Sequence, residues 1–400
     1  MIEKLPHRPC PTCDEPERKT LFAQRFESLA DVSLMQGYDV VACSRCGFVY
    51  ADHIPRKESF ESYYAEASKY EYSHRNGEQH AVERQRLALL AGRIAKLASA
   101  SARLLDVGCS TGELLIALRA HGFSNLTGLD PSETCVRHAR SKYGLQMIHQ
   151  TLGAKPADIP LFQVIVLSAV LEHVPDLHTF LDFVDQWLAP AGLLIVEVPD
   201  AENFAKAFNA PYQEFSVEHI NFFSAPALDN LLGLHGYSRI AKYQDLCNAG
   251  GNLTGSVLTA MYRGVVGRMA PVRESISENG VHAYLTNCRG RIESERHAIT
   301  RLVESQTPIM IWGVGTLCQR LLASTSLKNA NIVAFVDSNP HYQRSILIGR
   351  PVLAPSALAD RTEPILILSW GFFEEIRMQI REVLALKNEI IRIDRVIPIE

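Results

Sequence analysis

The stretch from Arg103 to Asp130, RLLDVGCSTGELLIALRAHGFSNLTGLD, constrains the fold more than any other part of the chain. Leu104 and Leu105 open a short apolar run that closes on Asp106. A glycine-bracketed turn follows, Gly108-Cys109-Ser110-Thr111-Gly112, and then helically spaced Leu114, Leu115, Ala117 and Leu118. A second short strand, Leu126 to Leu129, ends on Asp130. Strand, glycine turn, helix, strand and acid make the opening βαβ unit of a nucleotide-binding sheet. Glycines there let the backbone approach a ligand, and the terminal acid can hold ribose hydroxyls. The competing reading of Asp130 is a helix N-cap, and one side chain can do both.

Beyond Asp130 the alternation continues. Ser132 to Tyr143 reads as a helix begun by Asp130-Pro131-Ser132, with proline near its first turn. Phe162 to Ser168 is a continuous apolar run, as expected of a strand buried on both faces. Leu171-Glu172-His173-Val174-Pro175 follows at the carboxyl end of that strand, where open α/β sheets bind ligands. Leu177 to Leu188 is amphipathic, and Gly192 to Val198 reads as another buried strand. Residues 199–225 break the pattern and read as an insertion over the site, with Glu218 and His219 among aromatic residues.

The first 50 residues hold Cys10-Pro-Thr-Cys13 and Cys43-Ser-Arg-Cys46-Gly. Each pair can place two thiolates on one tight knuckle, and two knuckles supply a closed tetrahedral zinc site. Four sulfurs leave no open position, so such a zinc is structural and stabilises a unit too small for a large core of its own. A fold that has lost its metal is the alternative. Tyr50, Tyr63, Tyr64, Tyr70 and Tyr72 crowd the following segment, mostly as aromatics packed on the next domain, and 78–98 has helical apolar spacing. After a glycine-rich run from Cys247, residues 270–306 read as a polar helix with Glu293, Glu295, Arg296 and Arg301 on a solvated face. A second βαβ pattern closes the chain: Pro308 to Trp312, then Gly313-Val314-Gly315, a helix, and Asn331 to Asp337. Cys318 stands where a third glycine of a dinucleotide site would fall, so structural use and ligand contact are equally open.

Composition bounds the rest. Four hundred residues imply two or three domains, and the 47% apolar fraction is that of an ordinary globular protein. A net charge of −4 offers no basic field for nucleic acid. No apolar run is long enough for a bilayer, and nothing at the N-terminus resembles a signal peptide. Nine cysteines without an export signal point to reduced thiols in a cytoplasm. The expectation is a cytoplasmic α/β protein of three units: a zinc-binding unit over 1–58, a nucleotide-binding sheet over 59–243, and a second Rossmann-like unit over 244–400.

Asp106 to Gly112 resembles motif I of class I S-adenosylmethionine methyltransferases, and Asp130 falls where that family places its ribose-binding acid. The order of pieces along nearly the whole chain resembles a narrower family, the bacterial sugar C-methyltransferases that act on nucleotide-linked 4-keto-deoxysugars. Cys10/Cys13/Cys43/Cys46, Asp106–Gly112, Leu171-Glu172-His173, Glu218-His219, Gly250-Gly251-Asn252, Val336-Asp337-Ser338-Asn339-Pro340 and Ser369–Ile376 carry that resemblance. It implies a class I methyltransferase sheet, a Rossmann-like C-terminal domain holding the nucleotide, and antibiotic or surface-glycan deoxysugar biosynthesis. It also implies S-adenosylmethionine and structural zinc as cofactors, and a monomer or homodimer acting on a small molecule. Cofactor contacts fall on Asp106, Gly108, Cys109, Gly112, Asp130, Pro131 and Leu171, with Tyr70 and Tyr72 closing from the N-terminal side and Tyr72 against the cofactor. Two segments depart from the pattern. Ser216 and Val217 stand where the family carries a tyrosine and a histidine, and Gln343-Arg344-Ser345 replaces its usual lysine and glycine.

Methylating carbon requires removal of a proton beside a carbonyl, and imidazole has the right pKa for a base at neutral pH. His219 is the candidate base, Glu218 the group that binds or orients the acceptor, and His173 a contact to cofactor or acceptor. Adjacent residues on an extended segment face opposite ways, so Glu218 and His219 are expected to make separate contacts. A partly buried His219 pairing with backbone is the competing reading, as is a packing role for His173. Oxygen or nitrogen methylation of another metabolite, a non-methylating reaction on the same scaffold, and a non-catalytic scaffold remain as alternative functions.

Overall fold

Residues 5–29, 33–66, 81–249, 253–265 and 267–393 are described by the computed structural model; Tyr70, Tyr72 and the Gly250-Gly251-Asn252 segment lie outside them. The chain begins with antiparallel strands β1 (Arg18–Arg25), β2 (Gly37–Cys43) and β3 (Val49–Asp52). Helices α1 (Lys57–Glu66) and α2 (Ala81–Ile94) lead into the expected alternation. It runs β4 (Leu104–Val107), α3 (Glu113–Ala120), β5 (Leu126–Asp130), α4 (Glu133–Tyr143), β6 (Gln146–His149), β7 (Phe162–Ser168), α5 (Leu177–Trp187) and β8 (Leu188–Pro199). A crossing segment carries the two-residue β9 (Asn221–Phe222), followed by α6 (Ala225–Leu234), β10 (Tyr237–Asn248) and β11 (Thr254–Gly264).

The central sheet has seven strands in the order β10-β11-β8-β7-β4-β5-β6. From β6 to β8 they are parallel, and β11 runs antiparallel between β8 and β10. Strand alternation sends neighbouring apolar residues into two different cores. Leu105, Val107, Ile165, Leu167, Leu194 and Val196 pack with α5 and α6, whereas Leu104, Val164, Val166, Leu193 and Ile195 pack with α2 and α3. Both faces are thus covered, which explains the continuous apolar runs. Register sets Val107 opposite Leu129 and Leu167, so β4, β5 and β7 end level at one carboxyl edge.

The expected boundary after Tyr243 is corrected: it falls inside β10, and the sheet runs on to Gly264. An antiparallel closing pair does not continue the strand–helix alternation, so its membership was hidden. The N-terminal unit is also less separate than residues 1–58 implied. Its sheet is β1-β2-β3-β9, with Val49 and Tyr50 pairing to Phe222 and Asn221 of the crossing segment. Tyr38, Val40, Phe204, Phe215, Phe222 and Tyr284 share one core.

A 30-residue helix, α7 (Ile276–Ser305), then leads to β12 (Ile309–Trp312), α8 (Thr316–Ser324), β13 (Ile332–Val336), β14 (Ile346–Leu347), β15 (Arg350–Leu353), β16 (Ile365–Ile367), α9 (Phe373–Met378) and β17 (Ile390–Arg392). The sheet order is β14-β15-β13-β12-β16-β17, parallel except for β14. Crossovers leave β12 in both directions, which opens a crevice at its carboxyl end. On α7, Glu293, Arg296 and Arg301 are exposed as expected, but Glu295 is only 2% exposed and pairs with Arg320 of α8 at 3.2 Å. That position turns toward α8 among Ala298, Ile299, Leu317 and Leu321, so a carboxylate there needs its guanidinium. Among the described residues no helix is long and apolar enough to cross a membrane.

Two glycines of α7 separate packing from helix propensity. A Cβ on Gly280 would sit 2.2 Å from the Ala201 carbonyl oxygen, whereas one on Gly290 would meet nothing within 4 Å. Propensity alone favours alanine over glycine by about 1 kcal/mol at either position. Thermal unfolding is therefore expected to show Gly290→Ala slightly stabilised and Gly280→Ala destabilised by more than ~1 kcal/mol. Equal shifts in the two variants would contradict the close approach.

Candidate active site

The carboxyl edge of β4, β5 and β7 carries the first half of the site. Gly108 and Gly112 both have positive φ, 70° and 87°. A Cβ on Gly108 would press 2.9 Å from Val170 Cγ2, and one on Gly112 would press 2.4 Å from Leu145 Cδ1. Asp130 holds this turn in place: its Oδ2 accepts the Ser110 N–H at 2.8 Å, and its Oδ1 accepts the Ser132 N–H at 2.9 Å. The helix cap expected of Asp130 is supplied by Ser132, whose hydroxyl accepts the Cys135 N–H. Pro131 turns its carbonyl to His149 Nε2 at 3.0 Å. Asp106 is buried at the end of β4, and burial, then Asp130 and Glu113, pushes its carboxyl well above the usual range.

Two of the residues expected to contact cofactor turn their side chains away from the turn. Cys109 packs its thiol into the core over Gly128, and Leu171 is wholly buried among apolar side chains. Backbone rather than side chain is what either can present to a ligand. Tyr72 lies outside the described residues.

The second half forms where Leu171–His173, a single 3-10 turn after β7, meets the crossing segment. Ser216 bends that segment: its hydroxyl accepts the N–H groups of Glu218 (3.4 Å) and His219 (3.2 Å). The extended geometry expected there gives way to a turn, although the two side chains still part. Glu218, buried, accepts the Tyr63 hydroxyl at 2.9 Å, and Tyr342 of the C-terminal unit bears electrostatically on Tyr63. The His219 ring packs edge-on against His173, with centroids 4.9 Å apart. His173 Nδ1 donates to the Glu218 carbonyl at 3.1 Å. A carbonyl only accepts, so that bond leaves the basic lone pair on Nε2. Glu172 Oε1 stands 3.9 Å from this Nε2, and Glu172, His173 and His219 bring one ligand atom each within 4.8 Å of one another. Such a set can work as acid, base or divalent-metal ligands.

Val170, pressed on Gly108, joins the two halves, and Ala169 beside it has a left-handed φ of 56°. Strain of this kind persists where the surrounding structure over-determines it, commonly at sites. Arg86 of α2 reaches the same edge and pairs with Glu197 and Glu83, while donating to the Ser168 hydroxyl at 3.2 Å. Arg86, Glu197 and Tyr63 carry no motif, and only tertiary structure brings them here.

The four knuckle sulfurs converge. Cys10 and Cys46 are 3.6 Å apart, Cys13 and Cys43 are 3.5 Å apart, and all four lie within 4.8 Å. Ligands at ~2.3 Å in a tetrahedron are separated by about 3.8 Å, so the donor set fits one closed ion. The N–H groups of Arg45 and Cys46 both point at Cys43 Sγ at 3.4 Å, as they would toward a thiolate.

Residues 79–242 match the family model of a methyltransferase domain. The chain carries a class I S-adenosylmethionine-dependent methyltransferase domain. Residues 305–391 match a second model, the C2185-like N-terminal family. C-methyltransferase NovU of Streptomyces niveus is 25% identical over 68% of this chain and 67% of its own length. A ubiquinone biosynthesis O-methyltransferase of Xylella fastidiosa is 35% identical over 24% of this chain, and the match takes in only 41% of that enzyme. Among solved structures, an S-adenosylmethionine-dependent methyltransferase from Mesorhizobium loti is 19% identical, with a TM-score of 0.37 over 44% of this chain and 97% of its own.

One residue ties the cysteine knuckle to the methyltransferase domain. Arg8, two positions before Cys10, donates to the carbonyls of Pro175 (2.6 Å) and Ile220 (3.3 Å). It therefore clamps the segment after His173 to the segment after His219. Its own backbone is fixed by Asp52, which accepts the Arg8 N–H at 2.6 Å, and burial lowers its pKa to about 10. At pH 7 it remains charged. Arg8→Ala is expected to lower kcat at least tenfold while leaving bound metal and S-adenosylhomocysteine affinity unchanged. Added guanidinium should restore part of the rate; unaltered kcat would remove Arg8 from the positioning of the two histidines.

Proposed function

We propose that the chain methylates a carbon atom next to the carbonyl of a nucleotide-linked keto-deoxysugar, with His219 as the base. The observation that carries this reading is the His219–His173 pair, packed beside buried Glu172 and Glu218 and joined through Val170 to the Gly108 turn. Bound S-adenosylmethionine would supply an electrophilic methyl group on a sulfonium. Asp130 and the Gly108–Gly112 turn would hold it, and Asp106 would give its buried carboxyl a cationic partner. His219 would take the proton beside the carbonyl, and His173, with its Nδ1 proton committed to the Glu218 carbonyl, would orient that ring. Tyr63 and Glu218 would grip the acceptor side. Positioning of this kind brings reacting atoms to about 3–3.5 Å and replaces much of the entropy cost of a bimolecular encounter.

Two further observations support the substrate class. NovU, similar over two thirds of its length, is named a C-methyltransferase. In the C-terminal unit Asp337 repeats the Asp130 arrangement, accepting the Val314 N–H at 2.9 Å and the Asn339 N–H at 2.8 Å, which suits a nucleotide over the β12 crevice. We assign structural zinc to Cys10, Cys13, Cys43 and Cys46, since four converging thiolates leave no open coordination position. Oxygen methylation is the second reading, favoured by the match of the core to an O-methyltransferase. An imidazole base serves that reaction equally well.

Deuterium exchange separates the two. Incubated in D2O with a nucleotide-linked 4-keto-deoxysugar and no S-adenosylmethionine, the protein should exchange the proton beside the carbonyl. His219→Ala should lose that exchange and lower kcat by roughly 10²–10⁴. Methyl transfer to an oxygen without prior exchange would overturn the carbon reading, and full turnover in His219→Ala would overturn the base.

A further inference from the structure

A second cluster of ionisable groups lies outside both halves of the site, where α5 meets the turn between α6 and β10. Asp182 and Asp185 stand on α5, one turn apart and largely exposed. His235 ends α6, and its side chain is only 5% exposed. The rings of His178 and His235 meet through Nδ1 and Nε2 at 2.9 Å, so one nitrogen must donate and the other accept. On its far side, His235 Nδ1 is buried without a hydrogen bond and faces Asp182 Oδ1 at 3.6 Å, beyond hydrogen-bond reach. Asp185 is held from behind by the Tyr237 hydroxyl.

In one of the two tautomers the cluster is unbalanced. When His235 donates from Nε2, its Nδ1 is a bare lone pair aimed at two carboxylates, and none of the three can donate to another. With the proton on Nδ1 the ring faces the Asp182 carboxylate at 3.6 Å, too far for a hydrogen bond. A doubly charged ion would instead complete the set, matching two carboxylates in charge and taking up the lone pair. Two ligands at ~2.1 Å around one ion at tetrahedral angles lie about 3.4 Å apart, close to the observed 3.6 Å. One donor atom each from Asp182, Asp185 and His235 falls within 4.8 Å of the others. His178 and Tyr237 then occupy the positions of outer partners, fixing the imidazole tautomer and the carboxylate.

We propose that Asp182, Asp185 and His235 bind a divalent first-row metal ion, completed by water, that staples α5 to the α6–β10 corner. The donor set is one nitrogen and two oxygens, which suits manganese, cobalt, nickel or zinc and is distinct from the four-thiolate knuckle. Arg268 also bears electrostatically on Asp185 and His235 and is the competing source of positive charge.

Manganese tests the site, because thiolate knuckles disfavour it. The full chain, loaded with a single equivalent of zinc to fill the four-thiolate knuckle, is titrated with Mn²⁺ while the free-ion electron paramagnetic resonance signal is followed. One equivalent should bind, the ion should raise the unfolding temperature, and Asp182→Asn and His235→Gln should weaken binding at least tenfold. His219→Ala should bind as the wild type does. Loss of binding in His219→Ala but not in Asp182→Asn would assign the ion to the Glu172-His173-His219 set and overturn the proposal. Absence of binding to the wild type would overturn it too, leaving Arg268 as the cation of the cluster. Asp182 is surface-exposed, so its variant reads the site even where His235→Gln fails to fold.

Discussion

A carboxylate that receives backbone N–H groups from a glycine turn is the contact on which both halves of this protein depend. Asp130 takes Ser110 N–H from the turn after β4 and Ser132 N–H from the start of α4. Asp337 does the same with Val314 and Asn339 after β12 and β13. Charge-assisted bonds of this kind are worth roughly 1.5–3 kcal/mol each and fix direction as well as position. They lock each turn open over its sheet edge, with a carboxylate at the rim. Where the turn and the acid are fixed, the open carboxyl end of each sheet follows.

The proposed acceptor side is built on a different principle. No single strand or helix carries it: Leu171–His173 follows β7, Glu218 and His219 sit on the crossing segment, Tyr63 is on α1 and Tyr342 on the C-terminal unit. Such a site is only as exact as the ties between its parts. Arg8 supplies one tie, bridging Pro175 and Ile220, and Asn221 supplies another by donating to the carbonyls of Leu171 (2.7 Å) and Val174 (2.8 Å). Ser216, at a position where the resembling family has tyrosine, works as a turn residue that aims Glu218 and His219.

What could be read from the sequence was whatever has a period or a fixed spacing. The glycine turn, the acid at the end of β5, the two-sided strands and the cysteine pairs are all local, and each stands where its spacing implied. Cys109 and Leu171 show the limit: belonging to a motif does not say whether side chain or backbone faces the ligand. Glu295 was read as solvated because the helix around it is polar, yet its partner Arg320 lies 25 residues away on another helix. Arg8, Tyr63 and Arg86 are unremarkable residues by type and spacing. Their roles come from contacts 155 residues away for Tyr63, 111 for Arg86 and 212 for Arg8, which no local pattern encodes.

The pairing of β3 with β9 reaches beyond the knuckle unit. Residues 221–222 are a strand lent to a sheet whose other members end at residue 52. The unit is therefore woven into the loop that bears Glu218 and His219, and cannot be exchanged between relatives as a cassette. A chimera replacing only the first 58 residues would set a foreign β3 against the native β9, and a misfit there would leave backbone donors and acceptors unpaired in a buried sheet. Changes in the two segments would then have to stay mutually compatible, so that they behave as one module despite lying far apart in the chain.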